Sequence, residues 1–133
     1  MIERMVLDTD TVIHLLRHSP LTVQPFIQLY HNGTIFLVSP IVIAEVYAGA
    51  LVKEYESIDD FFQLCEFAPL TLTIAKQAGH YAKQYRKAYN KISLEDYLIA
   101  ATAKMNHCPL WTYNMKHFPM EDIELFKISE IKE

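Results

Sequence analysis

The sequence predicts an α/β fold with a parallel or mostly parallel central sheet, and three observations carry that expectation. Short apolar runs (Met5-Val6-Leu7, Ile35-Phe36-Leu37-Val38 and Leu110-Trp111) are continuous rather than alternating, as in strands buried on both faces. Segments of helical length and punctuation separate these runs. The chain of 133 residues is 51% hydrophobic and 21% charged, which indicates an ordered, single-domain unit over residues 1–133 with a core that needs no staples.

Taken in order, residues 4–8 read as a short buried strand, followed by a helix over about 10–18 that ends before Pro20. A second helix fits about 22–31, with Asn32-Gly33 as its stop, and residues 35–38 form the next strand. Ser39-Pro40 then starts a helix, Ser as N-cap and Pro at the first helical position, and the helix runs to about residue 52. Another helix is expected over 54–66, a short strand within 67–72, and a long amphipathic helix over 73–89. Ser93 opens a helix that contains Asp96 and ends near Asn106-His107. Residues 109–112 and 123–128 are the last two expected strands. In such folds, sites gather beyond the carboxyl ends of the strands, where Asp8 and the residues after Thr112 lie.

Composition narrows the function classes. No apolar run approaches the roughly 18–20 residues that span a bilayer, and Met1-Ile2-Glu3-Arg4 lacks the features of a signal peptide. Cys65 and Cys108 belong to no metal-type pair and read as reduced, near-core thiols of a cytoplasmic protein. The formal net charge of −4 argues mildly against a general nucleic-acid binder. Lys83, Arg86, Lys87 and Lys91, interleaved with Tyr81, Tyr85 and Tyr89, read either as a solvated helix face or as a phosphate-tracking surface.

The candidate functional residues are acids set in apolar stretches. Asp8 closes Met5-Val6-Leu7, Glu45 interrupts Ile41 through Ala48, and Asp96 opens Tyr97 through Ala103. Carboxylates are rarely buried unless something pairs with them, and no basic residue flanks these closely. Helix capping competes as a role for Asp10, and less so for Asp8, because one helix needs only one cap. Glu45 would have apolar neighbours on its own helical face, with solvent exposure as the competing reading. Asp96 approximates a capping box with Ser93, a role compatible with chemistry. Carboxylates about 4 Å apart repel by roughly 4 kcal/mol at an effective dielectric near 20, about three pKa units. Mg²⁺ or Mn²⁺ removes that penalty and suits oxygen ligands. Metal-activated water attacking a phosphodiester is the chemistry that such a set best supports.

The pieces Val6-Leu7-Asp8-Thr9-Asp10, Val38-Ser39-Pro40 through Glu45 and Gly49, Glu95 through Ala103, and Leu110 through Asn114 to Phe118 occur in family order along nearly the whole chain. Together they resemble the PIN-domain nucleases, particularly the VapC-type toxins of prokaryotic toxin–antitoxin pairs. The resemblance implies a three-layer α/β/α sandwich, Mg²⁺- or Mn²⁺-dependent endoribonuclease activity, homodimerisation, and a cognate antitoxin that blocks the acidic pocket. It assigns Asp8, Glu45 and Asp96 as metal ligands, directly or through water. The family often has a fourth acid where this chain has Asn114, and His117 stands just before Phe118 where an acid is also common. Asn114 is then expected to orient water or a second ion, and Asp10 to supply the missing charge. Thr9 and Thr112 are expected hydrogen-bond supports.

Other readings compete. Asp8-Thr9-Asp10-Thr11 also spells the DxDxT signature of haloacid-dehalogenase-like phosphatases, with Asp8 as nucleophile and Asp10 as general acid. That family's last motif needs acids at a strand end, whereas Glu95-Asp96 precedes an Ala-rich helical segment. A non-enzymatic interaction module would require Glu45 and Asp96 to be exposed or paired with Lys or Arg. His14 and His18 have the helical spacing of a zinc-binding pair but no third ligand nearby.

Overall fold

The computed structural model describes residues 2–130. Its strands are β1 (Arg4–Leu7), β2 (Ile35–Val38), β3 (Glu66–Phe67) and β4 (Leu110–Trp111). The helices are α1 (Thr9–Leu16), α2 (Pro20–His31), α3 (Pro40–Ala48), α4 (Tyr55–Phe62), α5 (Leu72–Tyr85) and α6 (Leu94–Met105). The strands pair in parallel in the order β3-β2-β1-β4, at the centre of a three-layer α/β/α sandwich. Met5 lies opposite Phe36, and Leu7 opposite Trp111.

Burial accounts for this order. Met5, Val6 and Leu7 are fully buried because β1 has a strand on each side and helices on both faces. Burying a side chain of this kind contributes roughly 1.5–3 kcal/mol. Ala100, Ala101 and Ala103 on α6 are fully buried as well; their small size lets the helix approach closely. Trp111 and Phe126 meet edge to face at 5.1 Å, Phe26 stacks on Phe36 at 4.3 Å, and the Phe36 and Trp111 rings, 6.5 Å apart, join the two pairs into one aromatic cluster.

Several boundaries differ from expectation. α1 stops at Leu16, and His18 lies beyond it with a positive φ of 58°, so His14 and His18 do not form the helical pair a zinc site would need. α2 begins at Pro20, whose missing N–H is no loss in a first turn. α3 ends at Ala48 with Gly49 as C-cap, and a short 3₁₀ turn, Val52–Glu54, follows. α5 ends at Tyr85, leaving Arg86 through Lys91 outside it. The strand expected over 123–128 reduces to one parallel bridge between Leu125 and Leu110. Of that segment only Phe126 is fully buried, too few apolar positions to sustain a ladder.

The connection from β1 leads to β2 on one side, whereas β4 joins on the other. The crevice beyond the carboxyl ends of β1 and β4 is therefore the point where strand order reverses, the usual location of a site in an open parallel sheet. Among the described residues no helix is long and apolar enough to cross a membrane.

Candidate active site

Asp8 is the first residue after β1 and is 6% exposed. It is also the N-cap of α1: its Oδ1 accepts from the Thr9 backbone N–H at 2.8 Å. The capping role thus falls to Asp8, with Asp10 inside the first turn, because the helix starts one residue earlier than its apolar pattern suggests. Asp8 Oδ2 accepts from the Thr112 hydroxyl at 2.7 Å, just past β4. Burial, with the neighbouring charge of Asp10 next and that of Asp96 adding to it, pushes the Asp8 carboxyl up from 3.8 to about 6, although the Thr112 and Thr9 hydrogen bonds pull it down.

The other candidates are arranged around this carboxylate. Asp10 is half-buried; burial raises its pKa, against hydrogen bonds from the Tyr113 backbone N–H at 3.1 Å and from Thr11. Glu45 Oε1 accepts from the Thr9 hydroxyl at 2.6 Å, which ties α3 to the start of α1. Asp96 forms the full capping box with Ser93, and its Oδ2 also accepts from His117 Nδ1 at 2.9 Å. Asn114 is exposed, and its backbone N–H donates to the Thr112 hydroxyl at 3.0 Å. Thr112 therefore links the Asn114 loop to Asp8, and Thr9 links Asp8's own helix to Glu45.

Two sequence expectations change here. Glu45 is exposed rather than buried among apolar neighbours, because Ala44, Ala48 and Gly49 beside it are exposed too. Asp96 is half-buried, and its partner is a histidine. His117 had stood out only as a departure from an acidic position; its contact with Asp96 spans 21 residues and has no local sequence signal.

No Lys or Arg forms an ion pair with Asp8, Asp10, Glu45 or Asp96 among the described residues. Nor do three His, Cys, Asp or Glu side chains among them stand close enough to form a closed ligand cluster. The donor set nevertheless fits a hard divalent cation. Glu45 Oε2 and Asp96 Oδ1 have no hydrogen-bond partner among the described residues, and a carboxylate oxygen with one donor keeps a further lone pair. Mg²⁺ characteristically binds one or two carboxylates and keeps several waters, so an open arrangement suits it better than a closed cage would. A buried, unpaired carboxylate with raised pKa beside two more acids is what a missing positive charge would leave.

The geometry also bears on the competing readings. The last acidic pair of a dehalogenase-like phosphatase would lie at a strand end, whereas Glu95 and Asp96 occupy the first turn of α6. The interaction-module condition is met for Glu45, which is exposed, and not for Asp96, which is half-buried against His117 rather than paired with Lys or Arg.

The PIN domain family model matches residues 5–119. Ribonuclease VapC19 of Mycobacterium tuberculosis is 34% identical over 115 residues, covering 86% of this chain and 92% of the relative. Ribonuclease VapC10 of the same organism is 32% identical over 116 residues, covering 87% and 86%. The fold is also that of VapBC2 from Rickettsia felis, solved bound to a DNA fragment from its promoter, with a TM-score of 0.82 at 21% identity, covering 92% of this chain and 97% of that one. VapBC-1 from nontypeable Haemophilus influenzae matches with a TM-score of 0.79 at 22% identity, over 96% of this chain and 99% of that one.

Proposed function

The chain belongs to the PIN-domain family, and on that premise we propose that it is an endoribonuclease of the VapC kind, the toxin of a type II toxin–antitoxin pair. The observation that carries the reading is Asp8: a buried carboxylate at the switch point of a parallel sheet, beside Asp10 and Asp96 and without a cationic partner among the described residues. Asp8, Glu45 and Asp96 would hold Mg²⁺ or Mn²⁺, directly or through water. When bound, such an ion supplies Lewis acidity, offsetting charge on the scissile phosphate and acidifying water.

The chain's own residues prepare that site. Thr112 and the Thr9 N–H fix both oxygens of Asp8, so its remaining lone pairs have a set direction. The Thr9 hydroxyl aims Glu45 at the start of α1. His117 and Ser93 hold one oxygen of Asp96 and leave the other open. Asn114, on the loop tethered to Thr112, would orient water or substrate beside these acids.

A cognate antitoxin is the partner that the VapBC complexes among its structural relatives support, and a second copy of the chain is the other partner in this reading. Leu21, Val52, Phe67 and Leu72 are each more than half exposed, so apolar surface is available to a partner chain. A cytoplasmic location accords with the free thiols of Cys65 and Cys108, both pushed up in pKa by burial, Cys65 to about 12.

The test is calorimetric titration with Mn²⁺ and Mg²⁺ together with cleavage of mixed cellular RNA, comparing wild type with Asp8→Asn and Asp96→Asn. Each variant should lose at least about 100-fold in metal affinity or cleavage, beyond what loss of an outer-sphere group costs. Wild-type-like cleavage by either purified variant would rule out this site.

A further inference from the structure

A second cleft lies beside the acids, of about 390 Å³ and lined chiefly by Tyr89, Asn90, Lys91, Asn114, Lys116 and His117. The geometry points to this cleft as the subsite for the RNA nucleotide next to the scissile phosphate, with Lys91 and Lys116 holding a backbone phosphate and Tyr89 stacking on a base. The inference rests on the ribonuclease reading and gives it a substrate path.

Continuity with the acids is the first support. His117 lines the cleft and donates through Nδ1 to Asp96 at 2.9 Å. Asn114 also lines it, and its backbone is bonded to the Thr112 hydroxyl that holds Asp8. An RNA strand lying in the cleft is thereby carried toward both carboxylates.

Charge is the second. The chain is net acidic and no Lys or Arg forms an ion pair with Asp8, Asp10, Glu45 or Asp96 among the described residues, so a polyanion at these acids needs cations beside them. Lys91 and Lys116 are exposed, share this one cleft, and have no ion-pair or hydrogen-bond partner among the described residues. Their charge is therefore available to phosphate rather than used within the fold.

The third is the aromatic platform. Tyr89 is 42% exposed, and its ring packs edge-on against Tyr85 at 6.1 Å, which in turn meets buried Tyr81 at 6.2 Å. The ladder anchors an exposed ring to the core, which suits base stacking because little ordering is left to pay for on binding. Asn90 and Asn114 place amide donors and acceptors at the same cleft, where an unstacked base could present its edge. The volume falls in the roughly 300–1,000 Å³ span of small-ligand clefts.

The experiment is binding of a short fluorescein-labelled, mixed-sequence single-stranded oligoribonucleotide, followed by anisotropy over a NaCl series with Ca²⁺ replacing Mg²⁺. Wild type is compared with Lys91→Ala/Lys116→Ala, Tyr89→Ala and Tyr89→Phe, each checked for an unchanged melting temperature. The double lysine variant should bind about tenfold more weakly and lose about 1.4 from the slope of log K against log salt, since each single-strand phosphate contact contributes about 0.7. Tyr89→Ala should also bind about tenfold more weakly with an unchanged slope, and Tyr89→Phe should restore wild-type binding. If wild type cleaves RNA while these variants bind it within twofold of wild type, the subsite is wrong and the nuclease reading stands; the cleft would then suit an acidic protein segment. If wild type neither binds nor cleaves RNA, both are overturned.

Discussion

Asp8 and Asp122 are both carboxylates that accept a hydroxyl hydrogen bond, from Thr112 and from Tyr81 respectively, yet their acidities move in opposite directions. Burial raises both. At Asp122, beside the last turn of α6, hydrogen bonds from Lys104 and Tyr81 outweigh that burial, and the carboxyl ends below its ordinary value. At Asp8 no cation among the described residues answers, the nearby acids add to the burial, and the carboxyl rises to about 6. The lysine makes the difference. A paired acid such as Asp122 is part of the architecture, whereas one left unpaired at the end of a buried strand has the perturbed acidity that clusters at functional sites.

The strongest way to break this contrast is to remove the Asp8 charge. The folded state holds the Asp8 proton more tightly than the unfolded chain does. Without a divalent ion, stability should therefore fall as pH rises from about 4 through about 6, by on the order of 3 kcal/mol from this group. Asp8→Asn should flatten that fall. At neutral pH without metal the variant should be more stable than wild type by about 1–2 kcal/mol, less than the full electrostatic gain because one amide oxygen cannot replace two carboxylate oxygens. Thermal melts in chelator should show the gap at pH 7.5, its closure near pH 5 and its reversal in favour of wild type near pH 4, at about 4 °C for each kcal/mol. Saturating Mn²⁺ should stabilise wild type and not the variant. Parallel melting curves for the two proteins across that pH range would show that Asp8 is not held unpaired.

What could be read from the chain, and what could not, divides by distance along it. The buried strand before Asp8, the Ser39-Pro40 helix start and the Ser93–Asp96 capping box rest on adjacent residues, and all three form. Asp8, Glu45 and Asp96 are visible as acids in apolar surroundings and Thr9 and Thr112 as hydrogen-bond supports, but which carboxylate each hydroxyl meets, and the His117 partner of Asp96, are not. Thr112 reaches Asp8 across 104 residues and Thr9 reaches Glu45 across 36, so only the tertiary fold decides which hydroxyl meets which carboxylate. Helical neighbours gave the wrong exposure for Glu45 because Ala and Gly count as apolar in a sequence and cover little surface in a structure. The segment over 123–128 reads as a strand for a related reason: apart from Phe126, its apolar residues are only partly covered by neighbours.

A smaller effect sharpens the comparison at its hydrogen bonds. Thr112→Val removes a donor from Asp8 and an acceptor from the Asn114 N–H at nearly constant volume. Destabilisation of about 1–2 kcal/mol is expected in denaturant melts, since one buried carboxylate loses a partner. The Asp8 carboxyl should move further upward, because the Thr112 bond is one of the interactions pulling it down. Carbon-detected NMR titration of that carboxyl would follow the shift directly, and the pH optimum of cleavage should move to more alkaline values. An unchanged or lower Asp8 pKa in the variant would mean that the hydroxyl does not stabilise the ionised form.

The smallest effect should come from the paired acid. Lys104→Met leaves the aliphatic stem and removes only the charge that meets Asp122. Both side chains are substantially exposed, 33% for Lys104 and 44% for Asp122, so solvent screens the pair and the loss should be below about 1 kcal/mol. Asp122 should titrate at higher pH than in wild type, since one of the hydrogen bonds lowering it has gone while its Tyr81 bond remains. RNA cleavage should not change, because neither residue shares a hydrogen bond with the acids around Asp8. A large loss of cleavage in this variant would show that the charge at the C-terminal end of α6 is felt along the helix, and pairing would no longer separate architecture from site.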